Sequence, residues 1–261
     1  MSLHGRRAID RLKQQIGKFV TLPCPPYGRP EYWNSVYKSL GQDEVYEWWG
    51  SLSFHDLAEH RYRTIDNGKS PSYGTATLRG VLGIEENASN KTVLLLGCGN
   101  SRFGEDFLRA GFCGPLIQVD VAASVVDSMS ARCSTWIDNG AMEIIEDDAT
   151  QLSAIHGDSI AATIDKGLVD ALFCANEFIQ INNVLHNVHR VTNPGGVFCI
   201  LSFSQPEFLL PKLSGNLDSE PWAQIEVREL DSILMYLCKK QNTTPARKLR
   251  QKAWKHRAKV N

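Results

Sequence analysis

The sequence lacks long apolar runs, an apolar leader and paired cysteine spacings. No stretch of its 261 residues approaches the roughly 20 apolar residues of a membrane-spanning helix, and residues 1–7 hold no signal core. The seven cysteines are odd in number and never stand as Cys-x-x-Cys, which argues against a disulfide scaffold and structural zinc. We therefore expect a globular protein with reduced thiols in an intracellular compartment, with neither a membrane nor a metal partner.

Acidic residues are missing from the C-terminal end. Residues 239–261 hold nine Lys/Arg and no Asp/Glu, whereas the rest of the chain carries 19 basic and 29 acidic side chains. A block of like charge is usually a solvated tail. Two basic clusters and Trp254 also fit a nuclear address or an RNA-binding arm, so nucleic acid stays open as a partner of this tail.

Acids are also scarce at the N-terminal end, where residues 1–20 contain five Lys/Arg and one Asp. Apolar residues recur there at helical spacing, so residues 1–26 are predicted to hold a basic amphipathic helix. Such a helix is similar to a mitochondrial presequence, although residues 1–20 contain a single serine. We expect a cytoplasmic protein, with mitochondrial and nuclear compartments as the alternatives.

Strand and helix patterns alternate from residue 91 onward, and the last two strand-like runs have no helix between them. The predicted strands are 93–96, 116–120, 142–146, 161–165, 197–203, 223–230 and 233–238. We predict an α/β fold at residues 91–238, with a Rossmann-like, doubly wound, mostly parallel seven-stranded sheet that ends in a β-hairpin. Residues 27–90 are predicted to form an aromatic lid and a helical entry segment with a loop at 65–74, and residues 239–261 form the basic tail.

A glycine-rich turn follows the first of these strands. Gly97 and Gly99 let backbone amides approach a ligand, and an open α/β sheet binds ligands at the carboxyl ends of its strands. A dinucleotide fingerprint needs a third glycine at residue 102, where this chain has Arg102, so NAD is disfavoured.

Acidic residues end the next two strands. Asp120, followed by Val121, comes 23 residues after Gly97, where a carboxylate accepts the hydroxyls of a ribose. Asp147 and Asp148 end the third strand, where a carboxylate can accept from the exocyclic amine of adenine while the backbone amide of Ala149 meets a ring nitrogen. These strand ends together predict a site for an adenosyl ligand.

Four runs carry a resemblance to a known family: Val93-Leu-Leu-Leu-Gly-Cys-Gly-Asn-Ser101, Gln118-Val-Asp-Val121, Asp148-Ala-Thr-Gln-Leu152 and Asp165-Lys-Gly-Leu-Val-Asp-Ala-Leu172. They resemble the seven-strand S-adenosylmethionine-dependent methyltransferases. More narrowly, they are similar to the lysine methyltransferase-like group, which includes enzymes acting on elongation factor 1-alpha and on citrate synthase. The resemblance implies S-adenosyl-L-methionine as cofactor and a lysine of a protein substrate as methyl acceptor.

The resemblance also implies roles for individual residues. Trp33, Tyr37 and Trp48 close over the cofactor, Gly97 touches its amino-acid end, Asp120 holds ribose, Asp148 and Ala149 hold adenine, and Lys166 lies near the methionine moiety. A lysine acceptor must lose its proton before it accepts a methyl group, and burial lowers a lysine pKa. Asp165 and Asp170 are the predicted catalytic residues, because either carboxylate could orient the incoming ammonium.

Two other hypotheses stay open. A non-catalytic or RNA-associated protein could keep this fold and bind through its basic tail, and a small-molecule methyltransferase is the third reading of the same motifs. Leu168 and Val169 stand where the group usually has Thr-Leu, which bears on the acceptor side. No Asn/Asp-Pro-Pro-Tyr element is present, so a nucleobase acceptor is disfavoured.

Overall fold

The computed structural model describes seven parts of the chain, which are residues 24–40, 44–47, 54–65, 72–84, 89–215, 222–230 and 233–242. The helix predicted within residues 1–26 lies outside these parts except for its last three residues. Trp48 and the tail beyond residue 242 also lie outside them. Within the described residues, every strand belongs to one nine-stranded sheet.

The strands are numbered in chain order. They are β1 (Glu59–Ile65), β2 (Tyr73–Thr77), β3 (Val93–Leu96), β4 (Leu116–Asp120), β5 (Met142–Glu146), β6 (Ile160–Lys166), β7 (Thr192–Ser202), β8 (Gln224–Leu230) and β9 (Ile233–Lys239). Their order across the sheet is β2-β1-β8-β9-β7-β6-β3-β4-β5.

The helices of the described residues are likewise numbered in chain order. They are α1 (Pro30–Ser39), α2 (Phe54–Ala58), α3 (Leu78–Val81), α4 (Phe103–Arg109), α5 (Ala123–Arg132), α6 (Ser134–Asp138), α7 (Leu168–Cys174), α8 (Phe178–Val191) and α9 (Pro206–Leu213).

Five strands form the parallel core of the sheet. β3 pairs in parallel with β4 and β6, β5 extends the row beyond β4, and β7 extends it beyond β6. β9 runs antiparallel to both β7 and β8. The predicted α/β class, the parallel core and the terminal hairpin are therefore confirmed.

The apolar run of β3 is buried on both faces of the sheet. Val93 and Leu95 pack with α4 and α5 on one face, whereas Leu94 and Leu96 pack with α7, α8 and α9 on the other. A strand between two helical layers has no solvent-facing side, which is why its four residues are apolar without alternation.

The strand count differs from the predicted seven. β1 and β2 lie in the segment predicted to be helical and looped, and they add an antiparallel hairpin to the sheet beyond β8. Their side chains are mostly half-buried or exposed, so they lack the apolar signature of the core strands. The pairing depends on distant residues: the Arg228 guanidinium lies 4.1 Å from the centre of the Tyr62 ring, and Arg63 pairs with Glu229.

Candidate functional site

A cavity of about 420 Å³ opens at the carboxyl ends of β3, β4, β5 and β6. Its position follows from the strand order, because the chain runs from β3 outward to β5 and then returns to the other side of β3 as β6. Such a switch point leaves a crevice above the sheet, and ligand pockets commonly measure about 300–1,000 Å³. The cavity is therefore large enough for a nucleoside-sized ligand.

The predicted glycine turn forms one wall of this cavity. Gly97 and Gly99 both have a φ of +53°, a backbone conformation that glycine adopts without a steric penalty. A Cβ atom on Gly99 would lie 2.5 Å from the Tyr37 hydroxyl, and one on Gly97 would lie 3.1 Å from Cβ of Leu168. Both positions thus need glycine for conformation and for space.

Asp120 ends β4 beside this turn and also lines the cavity. Its Oδ2 accepts a hydrogen bond from the Gly99 amide at 2.8 Å, and its Oδ1 accepts one from the Ala122 amide at 2.9 Å. Burial raises the pKa of the Asp120 carboxyl, and these backbone hydrogen bonds oppose that shift. Each carboxylate oxygen keeps a second lone pair, so the group can still accept ligand hydroxyls. Val121, the next residue, lines the cavity as well.

The acidic turn after β5 forms the far wall. Asp147 accepts hydrogen bonds from the Ser153 hydroxyl at 3.0 Å and the Ala154 amide at 2.9 Å, which closes the turn. Asp148 accepts one from the Thr150 amide at 2.8 Å. Asp148 and Ala149 both line the cavity, so the structure brings them to the same crevice as Asp120.

Aromatic side chains cover the opening. The Trp33 and Tyr37 rings stack with centroids 5.9 Å apart, and Tyr46 meets Trp33 edge-on at 6.5 Å. All three residues line the cavity. Asn34 ties α1, the helix that carries Trp33 and Tyr37, to the start of α5, because its Oδ1 accepts a hydrogen bond from the Ser124 amide at 3.1 Å. Tyr46 was not among the predicted site residues, whereas the predicted Trp48 lies outside the described residues.

Glu47 is a second cavity residue that the sequence analysis missed. Its Oε1 accepts a hydrogen bond from the Ser101 hydroxyl at 2.7 Å, and its Oε2 accepts one from Nζ of Lys166 at 2.5 Å. Asn100 holds the same segment, since it accepts a hydrogen bond from the Tyr46 amide and donates one to a backbone carbonyl, each at 2.8 Å. The signal in the sequence was an acid between two aromatic residues of the predicted lid.

The two predicted catalytic carboxylates are not among the residues that line the cavity. Asp165 is fully buried and accepts hydrogen bonds from the amides of Leu168 and Val169, at 2.8 and 3.1 Å, where α7 begins. Burial, assisted by the nearby Asp170, raises the pKa of Asp165 to about 7.

Asp170 is also buried, and it accepts hydrogen bonds from the Ser202 hydroxyl at 2.5 Å and the Phe203 amide at 3.0 Å. Burial raises the pKa of this carboxyl too. Both acids therefore hold turns of the protein itself, and a direct role in orienting an acceptor stays a prediction.

The described residues contain no cluster of three or more His, Cys, Asp or Glu side chains arranged to hold a metal ion. In the same part of the chain, no helix has the length and apolarity to cross a membrane.

The sheet order and the cavity at its switch point define the Rossmann-like fold of S-adenosylmethionine-dependent methyltransferases. A protein of Methanococcus maripaludis assigned as such a methyltransferase superposes with a TM-score of 0.50 at 12% identity, over 64% of this chain and 84% of its own. This match establishes the fold. No family model matches the chain.

The names of two curated relatives are more specific than the fold. The mouse "eEF1A lysine and N-terminal methyltransferase" is 25% identical over 203 residues, which cover 75% of this chain and 24% of the mouse protein. The bovine "EEF1A lysine methyltransferase 4" is 27% identical over 192 residues, which cover 70% of this chain and 64% of the bovine protein. The chain thus spans about a quarter of the first relative and just under two thirds of the second. These matches confirm the resemblance to lysine methyltransferases that the motifs predicted.

Proposed function

We propose that this protein transfers a methyl group from S-adenosyl-L-methionine to a lysine side chain of a protein. The observation that carries the proposal is the single cavity at the switch point of the sheet that Gly97, Gly99, Asp120 and Asp148 all line. The names of the curated relatives support lysine as the acceptor and make eEF1A the first acceptor to test.

The residues of the cavity fit the cofactor. Gly97 and Gly99 line the cavity, and a Cβ atom at either would press on Leu168 or Tyr37, which line it too. Asp120 has the carboxylate that two ribose hydroxyls require, and Asp148 with the Ala149 amide offers an acceptor and a donor to an adenine edge. When bound, the cofactor supplies a methyl group on a positively charged sulfur, which makes that methyl group electrophilic.

The chain's own residues then provide position and a dry environment. The rings of Trp33, Tyr37 and Tyr46 cover the opening and exclude water, and their faces attract a cation. Removal of water lowers the pKa of a lysine that enters, which favours the neutral amine that acts as the nucleophile. Methyl transfer is a displacement at the methyl carbon, and holding the amine in line with that methyl group supplies much of the rate enhancement.

The test is transfer of a radiolabelled methyl group from S-adenosyl-L-methionine to purified eEF1A and, in parallel, to a proteome extract. Asp120→Ala serves as the inactive variant. Asp127→Ala is its matched control, because Asp127 is an exposed acid on α5 that does not line the cavity. A labelled protein band with the wild type and Asp127→Ala, absent with Asp120→Ala, would support the proposal, and mass spectrometry would locate the lysine.

Absence of any labelled protein, together with calorimetric binding of S-adenosyl-L-methionine, would overturn the assignment of a protein acceptor. Absence of both labelling and binding would overturn the assignment of a methyltransferase.

A further inference from the structure

A lysine that enters this cavity needs a hydrogen-bond acceptor to orient its ammonium. Among the described residues, four carboxylates line the cavity, namely Glu47, Asp120, Asp147 and Asp148. The three aspartates lie at the ends of β4 and β5, and each accepts backbone amide hydrogen bonds that shape its own turn. They are therefore committed to the fold and to the predicted nucleoside end of the site.

Glu47 differs from these three carboxylates because its hydrogen bonds go to side chains. It accepts from the Ser101 hydroxyl at 2.7 Å and from the Lys166 ammonium at 2.5 Å. Its side chain is 30% exposed, so solvent and an incoming group can reach it, whereas the Lys166 side chain is only 11% exposed. Glu47 also lies beside β3 and β6, at the end of the cavity opposite Asp148.

The place next to Glu47 already holds an alkyl ammonium. Nζ of Lys166 donates to Oε2 of Glu47 and lies 5.9 Å from the centre of the Phe103 ring. A carboxylate, a hydroxyl and an aromatic face are the groups that recognise a primary ammonium. Each oxygen of Glu47 keeps a second lone pair, so a second ammonium can bind beside Lys166 without displacing it.

We propose that the Glu47 carboxylate binds the ammonium of the acceptor lysine and orients it, with Lys166 as its neighbouring positive charge. The inference rests on the proposed function and names the acceptor-binding residue of the same site. The inference assigns the orienting of the acceptor ammonium to Glu47, a residue of the lid. Asp165 and Asp170, the acids first predicted for it, already accept hydrogen bonds from backbone amides and serine hydroxyls.

The pairing of Glu47 with Lys166 explains how an acceptor can be held without being kept protonated. A lone carboxylate would favour the charged form of the acceptor and raise its pKa, whereas the positive charge of Lys166 opposes that effect. Among the described residues, Tyr37 also interacts electrostatically with Glu47 and Asp120; burial raises the pKa of Tyr37 and keeps it neutral. The pair therefore presents a hydrogen-bond acceptor with little net charge.

Two substitutions test this arrangement because they act in opposite directions. Glu47→Gln leaves Lys166 uncompensated, so the acidic limb of the kcat–pH profile should move to lower pH by roughly half to one unit. Lys166→Gln leaves Glu47 uncompensated, so the same limb should move to higher pH. Rates are measured at saturating S-adenosyl-L-methionine with the protein acceptor that the wild type labels, eEF1A first.

The acceptor KM supplies a second readout. Glu47→Gln should raise it about tenfold through loss of a charge-assisted hydrogen bond, and Glu47→Asp should return the pH profile toward that of the wild type. Glu31→Gln is the matched control, because Glu31 lies on α1 outside the cavity lining. Calorimetry should give Glu47→Gln an affinity for S-adenosyl-L-methionine within threefold of that control, and a thermal melt should show that it is folded.

Two results would overturn the inference while the proposed function stands. One is labelling of the acceptor by Glu47→Gln with an unchanged KM and an unshifted pH profile. The other is a loss of cofactor affinity with an unchanged acceptor KM, which would assign Glu47 to the cofactor. A wild-type protein that labels no protein overturns the proposed function, and the inference falls with it.

Discussion

The carboxylate of Asp120 joins the turn after β3 to the start of α5, because one of its oxygens accepts from the Gly99 amide at 2.8 Å. The other oxygen accepts from the Ala122 amide at 2.9 Å. One side chain therefore fixes the position of the glycine turn relative to the start of α5. Its predicted contact with a ribose builds on that arrangement.

Asp120→Asn should weaken both folding and cofactor binding. An amide has one oxygen, so one of the two backbone amides would face an NH₂ group and lose its partner, at a cost of about 1–3 kcal/mol in the free energy of unfolding. We expect at least a tenfold loss of affinity for S-adenosyl-L-methionine by calorimetry, with Asp127→Asn as the exposed control. Unchanged affinity would place the ribose elsewhere.

Gly99→Ala should lower stability more than an alanine at a glycine that has the same kind of backbone but free space. Gly140 is that control, since its φ is +74° and an added Cβ would meet nothing within 4 Å. Both variants incur about 1–2 kcal/mol for the left-handed conformation, and Gly99→Ala adds the clash with the Tyr37 hydroxyl. Urea denaturation measures the difference.

A double-mutant cycle locates the clash. Tyr37→Phe removes the hydroxyl that the new methyl group would approach at 2.5 Å, so it should recover part of the stability lost in Gly99→Ala. Strictly additive losses would show that Tyr37 does not pack on the turn in solution.

Asp165 predicts a pH dependence of stability with a definite sign. Burial raises its pKa from the ordinary value of 3.8 to about 7 in the folded protein. Between these values the folded state binds the proton more tightly, so this group's contribution to stability falls as pH rises, by at most about 1.4 kcal/mol per pH unit. The free energy of unfolding, measured by urea denaturation from pH 4 to pH 8, should fall less steeply with pH for Asp165→Asn than for the wild type. Equal slopes would contradict the raised pKa.

The Tyr62–Arg228 contact predicts how the edge hairpin is held. Tyr62→Ala removes the ring over which the guanidinium lies at 4.1 Å, and we expect a loss of about 1–2 kcal/mol with faster amide exchange in β1 and β2. Tyr73→Ala, which removes a ring that is 76% exposed on β2, should have little effect. Equal effects of the two substitutions would show that the contact contributes nothing.

The core strands can be predicted from local patterns in the sequence, whereas the strand pairing at the β1 edge of the sheet cannot. A buried parallel strand such as β3 is apolar throughout, and the carboxylate at the end of β4 stands at a fixed place in a doubly wound sheet, so both can be predicted from the sequence. β1 is polar and half-exposed, and its partner β8 comes more than 150 residues later. No local sequence pattern indicates that pairing.

The same reason explains why Glu47, a cavity residue that was not predicted, is not recognisable from the sequence. Glu47 acquires its role from Ser101 and Lys166, which lie 54 and 119 residues away in the chain. Asp165, at a predicted strand end, and Asp170, at a predicted helix start, were expected to be the catalytic acids because either carboxylate could orient the incoming ammonium. Only the structure shows that backbone amides and serine hydroxyls occupy their oxygens.

The β1–β2 hairpin also acts as a cover for β8. Without it, β8 would present an unpaired row of backbone amides and carbonyls at the border of the sheet, and such a border invites pairing between molecules. A fragment cut at residue 91, where the regular α/β pattern begins, would expose that row and self-associate. A shortened chain meant to keep β8 paired should therefore start no later than Phe54, which lies in the buried core together with Leu57.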